Sequence, residues 1–229
     1  MAKLTSLKSE KRLLDRQAAD GIRTHILEGI LPAGGRLLET QLSEELEVSR
    51  GTVRAALAQL AREGLVQQVA FTRWQVSETS PRDAWELYTL RAALEGLAAR
   101  LAAENGVAAD HKRLKSTVAE LTRAVKDKRF GDVTDIDFRL HQEIVEIAKH
   151  RRLAEQHGYI MQQVRFHMVH SGVFPKDYAA LVAEHAALIG AVIERQPDLA
   201  EALAKSHNEA EVKLLAAHTE ENPRAETAS

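Results

Sequence analysis

The sequence predicts a mainly α protein in two parts, a winged helix-turn-helix followed by an all-α bundle of about six helices. Three observations predict it. Apolar residues recur at helical spacing almost from end to end. The only stretch that reads as extended is a short hairpin near residues 65–77. A boundary at Thr79-Ser80-Pro81-Arg82-Asp83 separates that hairpin from purely helical sequence.

The first part builds up in order. Leu14, Ala18, Ile22 and Ile26 are spaced by four and predict a helix from about residue 13 to 27, closed by Gly29, Pro32 and Gly34-Gly35. A short helix fits 39–47, with Leu42 and Leu46 inward. Ser49 is a good cap for a third helix running to about Glu63, with Val53, Leu57 and Leu60 as its apolar stripe and Gly64 after it. Residues 65–70 and 74–77 then read as the hairpin. Three helices and a hairpin in this order are the plan of a winged helix.

In the second part, Ser80 is a cap, Pro81 takes the first helical position and Asp83 lies in the first turn. Helices are expected over 82–104, 107–128, 131–149, 151–171, 177–195 and 198–218. Gly106, Gly131, the loop at 172–176 and Pro197 separate them. The expected domains are therefore 1–80 and 81–218, with a polar, disordered tail at 219–229. Residues 1–10 lack periodicity, and no internal repeat is visible.

Composition excludes several classes. The 229 residues contain no cysteine, so disulfides and thiolate metal sites are out. No run of about 18 uncharged apolar residues offers a membrane span. Met1-Ala2-Lys3-Leu4 leads into charged sequence without the apolar core of a secretory signal, so a cytoplasmic location is expected. Net charge is −2, and residues 1–80 carry 11 Lys and Arg against 10 Asp and Glu. Charge alone does not suggest nucleic acid.

Placement does. Ser49-Arg50-Gly51-Thr52-Val53-Arg54 opens the third helix and sets Arg50 and Arg54 one turn apart. In a recognition helix those forks suit guanine or phosphate, and Ser49 and Thr52 can donate beside them. A plain solvated helix face reads equally well from spacing alone.

Residues 22–78 resemble the DNA-binding domain of the GntR family of bacterial regulators. The matching run is Ile26, Gly29, Pro32-Ala33-Gly34-Gly35-Arg36-Leu37-Leu38-Glu39, Leu42-Ser43-Glu44, Val48-Ser49-Arg50, Val53-Arg54, Ala56-Leu57, Leu60 and Glu63-Gly64-Leu65-Val66. The resemblance implies that Arg50 and Arg54 contact operator DNA, with Thr40 and Thr52 nearby and Arg36 and Ser49 in the same matching run. Three departures stand out. Glu47 occupies a turn that usually holds Gly, Gly51-Thr52 replaces Thr-Pro and Ala55 the following Glu, and Phe71-Thr72-Arg73-Trp74 replaces a glycine wing tip. Arg73 is a candidate minor-groove contact, and Trp74 is expected to pack under the wing.

Four polar residues in the second part lie on helix faces that ought to be apolar. Asp137 and His141 share one face at i, i+4, His185 lies between Leu181 and Leu188-Ile189, and His207 lies between Leu203 and Leu214. A buried carboxylate needs compensation, which a divalent ion shared with three imidazoles would supply. Hydrogen-bonded core histidines are the other reading. Residues 83–218 resemble the FCD ligand-binding domain of the FadR subfamily through Leu87-Tyr88, Arg91, Leu94-Glu95, Ala98, Ala102-Ala103, Asp137, His141, Glu184-His185, Ile189 and His207. Six helices point to its VanR-like branch. The resemblance implies a divalent metal (zinc, nickel or manganese) held by Asp137, His141, His185 and His207.

Four ligands leave positions open on a six-coordinate ion, and a small carboxylate effector would fill them. Arg91, Gln162, Arg165 and His167 are the candidate effector contacts, although Arg91 also fits a helix salt bridge to Glu95. His25, His111, His150, His157, His170 and His218 have no convergent context and read as surface or structural. The function implied is a homodimeric repressor on double-stranded operator DNA, released by a small organic acid. A purely structural metal and a metal-dependent hydrolase are the alternatives. No HExxH motif supports the hydrolase.

Overall fold

The computed structural model describes residues 9–69, 73–172 and 177–221, with side chains described from 12 to 210 within those ranges. The chain divides into two compact units: one of residues up to Thr79 together with Arg165–Gly172, the other of the remainder.

The first unit carries α1 (Ser9–Leu27), β1 (Arg36–Leu37), α2 (Glu39–Glu45), α3 (Arg50–Arg62), β2 (Val66–Val69) and β3 (Arg73–Val76). Its sheet runs β1-β3-β2, antiparallel throughout, with Leu37 opposite Trp74 and Val66 opposite Val76. β1 is an addition to the sequence expectation, because two residues are too short to show a period. The apolar stripes of α1 and α3 meet in a core of Ala18, Ile22, Ile26, Val53, Leu57 and Leu60, which Leu37, Trp74 and Val76 close from the sheet side. Arg23 on α1 is bidentate to Glu63 just past α3, at 2.9 Å for both Nε and Nη2.

The α2–α3 turn is tight. Val48 N donates to Ser43 O at 3.1 Å, and Ser43 Oγ donates to Val48 O at 2.7 Å. These bonds hold Glu47 at φ 53°, the left-handed conformation expected for a turn that favours glycine. Ser49 caps α3, its hydroxyl accepting from Thr52 N at 3.1 Å.

The second unit holds α4 (Pro81–Asn105), α5 (Ala108–Lys126), α6 (Phe130–Ile147), most of α7 (Arg151–Ser171), α8 (Tyr178–Ile193) and α9 (Pro197–Glu221). Ser80 caps α4 by accepting from Asp83 N. Asp177 caps α8 by accepting from Ala179 N and Ala180 N, both at 2.9 Å. α4 lies along α9, and small buried residues of the two helices, Ala99 and Ala103 on α4 and Ala200 and Ala204 on α9, share one core. Gly96 belongs to that surface, since a Cβ there would come within 2.8 Å of Lys205 Cε. α9 runs to Glu221, past the expected start of the tail at 219. The tail beyond it, the wing tip at 70–72 and most of the loop at 172–176 lie outside the described residues.

His150 takes the structural of its two expected roles. Its ring accepts from Leu153 N through Nδ1 at 3.1 Å, capping α7, while Lys149 before it takes φ 53°. A side-chain acceptor at that position satisfies one of the free N–H groups of the first turn.

Candidate metal centre and nucleic-acid interface

In the second unit α6, α8 and α9 bring Asp137, His141, His185 and His207 together. Their ligand atoms all lie within 4.8 Å of one another, and all four residues are buried. Asp137 and His141 share the inward face of α6 as their spacing requires. α8 supplies His185 and α9 supplies His207.

The hydrogen bonds on the far side of each ring decide what the near side can do. His141 Nδ1 meets Glu95 Oε2 at 2.9 Å, His185 Nδ1 meets Leu181 O at 2.8 Å, and His207 Nδ1 meets Glu184 Oε2 at 2.8 Å. Carboxylate and carbonyl oxygens only accept, so each ring carries its proton on Nδ1. Three bare Nε2 atoms therefore face inward. His185 Nε2 stands 3.2 Å from His141 Nε2 and 2.9 Å from Asp137 Oδ1. Asp137 Oδ1 and His207 Nε2 are buried without a well-aligned hydrogen-bond partner among the described residues. Lone pairs converging with no proton between them repel, and a shared cation turns that repulsion into binding. The outer hydrogen bonds are the orientation that metal-bound histidines require.

Electrostatics agree. Burial pushes the His141 ring down to about 4, so it is neutral at pH 7. Burial alone would raise the Asp137 carboxyl, but its close contact with the His185 ring, with the His141 and His207 rings beside it, holds it below the ordinary carboxylate range. Glu95 also opposes its burial, chiefly through the charge of Arg91, and stays well below the usual range. Among the described residues Arg91 is the one buried Lys or Arg, against two buried carboxylates in this cluster, Glu95 and Asp137. A divalent cation would offset that excess of buried negative charge.

Around the ligands lies a network that the sequence did not show. Glu95 on α4 accepts from Arg91 Nε at 2.8 Å, from Asn208 Nδ2 at 2.9 Å and from His157 Nε2 at 3.1 Å, besides His141. His157 is thus no isolated histidine: it is fully buried and joins α7 to this carboxylate. Arg91 forms the i, i+4 pair with Glu95, but at 1% exposure it is a core pair rather than a surface one. Glu95→Ala would strip one acceptor from four buried donors, Arg91 among them. The expected loss is about 3–5 kcal/mol in denaturant unfolding, whereas a loss under about 1 kcal/mol would deny the network its structural weight.

The other effector candidates separate. Gln162 lies in the second unit, half-buried, with Oε1 lacking a partner among the described residues. Arg165 and His167 fall in the stretch 165–172 that groups with the first unit.

In the first unit Arg36, Thr40, Ser49, Arg50, Arg54 and Arg73 are all exposed. Thr52 corrects the expectation. It is 3% exposed, with its hydroxyl 3.1 Å from Ser49 Oγ, and it serves the helix cap instead of facing outward. Trp74 packs as expected at 8% exposure. Glu39, which carried no sequence signal for a role here, accepts from Arg54 Nε at 3.0 Å, from Arg54 Nη2 at 2.7 Å and from Trp74 Nε1 at 3.2 Å.

Known proteins share both units. Residues 14–72 match the family described as bacterial regulatory proteins, gntR family, and residues 86–210 match the FCD domain. The chain is 25% identical over 225 residues to the Glc operon transcriptional activator of Escherichia coli (strain K12), covering 88% of each. It is 28% identical over 204 residues to the "Probable D-xylose utilization operon transcriptional repressor" of Paenarthrobacter nicotinovorans, covering 86% of each. A solved GntR-type regulator from Rhodococcus sp. RHA1 has the same fold, with a TM-score of 0.73 at 20% identity over 89% of this chain and 97% of that one. No helix among the described residues is long and apolar enough to cross a membrane. The chain belongs to the GntR family of bacterial regulators, in the FadR-like group that joins a winged helix to an FCD domain, and it is a transcriptional regulator, not an enzyme.

Proposed function

We propose that this regulator is a metabolite-responsive repressor that releases its operator when a small organic acid binds at a metal centre formed by Asp137, His141, His185 and His207. The observation that carries the reading is the convergence of three Nε2 lone pairs and one carboxylate, each ring fixed by an outer hydrogen bond. These four residues would hold a divalent ion, which would supply Lewis acidity toward a carboxylate oxygen. The protein's own residues do the rest. Glu95, Leu181 O and Glu184 orient the rings, Arg91 balances Glu95, and Gln162 offers a buried acceptor to a polar ligand. Zinc, nickel and manganese all suit this donor set.

On the DNA side, Arg50 and Arg54 read the operator from α3, with Arg36, Thr40, Ser49 and Arg73 around them. Of the two relatives named, one is an activator and one a repressor. Repression fits a regulator tied to a utilization operon, as the second relative's name has it. A homodimer places two recognition helices on a near-palindromic site. α4 supports it with Leu87, Leu90, Leu94, Leu97 and Leu101 at alternating three-and-four spacing. Leu90 is 49% and Leu97 40% exposed on that face.

Burial of all four ligands favours a second reading, a metal held for structure alone. A thermal-shift screen of small carboxylates, run with and without zinc, nickel or manganese, separates the two. One carboxylate class should raise the melting temperature only when metal is present. Stabilisation by metal alone, with every carboxylate inert, supports the structural reading.

A further inference from the structure

Trp74 lies in the core of the first unit, yet its indole N–H has a specific use. It donates to Glu39 Oε1 at 3.2 Å, the same oxygen that accepts Arg54 Nε at 3.0 Å, while Glu39 Oε2 accepts Arg54 Nη2 at 2.7 Å. The three residues come from three elements: Trp74 from β3, Glu39 from the first turn of α2 and Arg54 from the recognition helix α3. β1 pairs Leu37 with Trp74, and Glu39 follows two residues later, so the strand pairing itself brings the carboxylate under the indole.

A guanidinium has five N–H donors in a rigid fork. Glu39 engages the Nε–Nη2 edge and leaves the two Nη1 donors and the second Nη2 donor unused by this pair. The Arg54 side chain is 66% exposed, so those donors are open to solvent and to a ligand. An arginine already held along one edge loses less freedom when it binds. Its charge is also offset by Glu39, which weakens indiscriminate attraction to phosphate and leaves geometry to decide between bases. Glu39 remains ionised for this role, because hydrogen bonding from Arg54, with help from Trp74, holds its carboxyl below the usual range.

We infer that Trp74 is a positioning residue for operator reading, fixing the Glu39 carboxylate that orients the Arg54 guanidinium toward a base edge. The inference rests on the reading that Arg54 contacts the operator. It makes the selectivity of the recognition helix depend on a donor in the wing strand.

The test uses the full chain and a duplex selected from a random double-stranded library by the wild-type protein. Affinity is measured for that duplex, for each of its single-base-pair variants and for a scrambled duplex. Arg54→Ala first identifies the base pairs whose discrimination depends on Arg54. Trp74→Phe keeps the ring and deletes the donor. Discrimination at those base pairs should then fall roughly three- to tenfold, with affinity for scrambled DNA and the melting temperature close to wild type. Glu39→Gln should lose the same discrimination and bind scrambled DNA more tightly, because the Arg54 charge is no longer offset. If Arg54→Ala changes discrimination and Trp74→Phe leaves it intact, the inference is overturned. An equal fall on every duplex in Trp74→Phe would also overturn it, since that is the mark of a merely structural role. Should Trp74→Phe fold poorly, unchanged discrimination in Glu39→Gln decides against it. If Arg54→Ala itself leaves discrimination unchanged, what fails is the reading of Arg54.

Discussion

His207→Ala should lower divalent-metal affinity by more than about a hundredfold, beyond the 10- to 100-fold range typical of losing an outer-sphere partner. The ring it removes presents a buried, unpartnered Nε2, held in place by Glu184 from the neighbouring helix. The remaining three residues cannot supply a fourth protein ligand. The protein should still fold, because His207 sits beside Asn208 on a helix already anchored by Ala200 and Ala204. Elemental analysis after dialysis checks the result, and full metal occupancy in the variant would remove His207 from the ligand set.

The same site predicts a pH dependence whose sign follows from burial. The folded His141 titrates at about 4, below the roughly 6.5 of an unfolded histidine. Between those values the unfolded chain binds a proton that the folded chain refuses. The contribution of His141 to the stability of the metal-free protein is therefore complete above about pH 6.5 and is lost as the pH falls toward 4. Metal retention should persist below pH 6, where an ordinary imidazole is already mostly protonated, and fail as the pH approaches 4.

Arg50→Ala should weaken operator binding by roughly ten- to a hundredfold while leaving the fold intact. Arg50 is the first residue of α3, exposed and next to the Ser49 cap, so its removal costs no packing. If the contact is to phosphate, the loss is uniform across sequences and the salt dependence falls by about one counterion. If it is to a base edge, the loss is confined to the selected sequence. Fluorescence anisotropy at two salt concentrations distinguishes these, and unchanged binding at physiological salt would contradict the assignment of α3 as the recognition helix.

What is legible in the sequence and what is not divide along a physical line. The convergence of Asp137, His141, His185 and His207 was legible because each breaks an apolar helix face, and that violation survives in one dimension. The αL turn at Glu47 was legible for a similar reason, since local hydrogen bonding dictates it. Glu95 was not legible as the hub of the site. Its only local partner is Arg91, a spacing common on solvated helices, while His141, His157 and Asn208 reach it from three other helices. Glu39 is the same case, with Arg54 and Trp74 arriving from 15 and 35 residues away. Thr52 looked outward because a hydroxyl in a reading turn invites that role, but capping geometry turned it to Ser49.

Coupling between the metal centre and the recognition helix is read most directly from operator affinity of the full chain, titrated with small carboxylates in metal-loaded and chelator-treated protein. One carboxylate class should lower affinity by roughly 5- to 150-fold in the metal-loaded protein, the usual span of an allosteric coupling. The effect should vanish after chelation and in His207→Ala. Operator affinity indifferent to metal and to every carboxylate would contradict a metal-centred release of the operator.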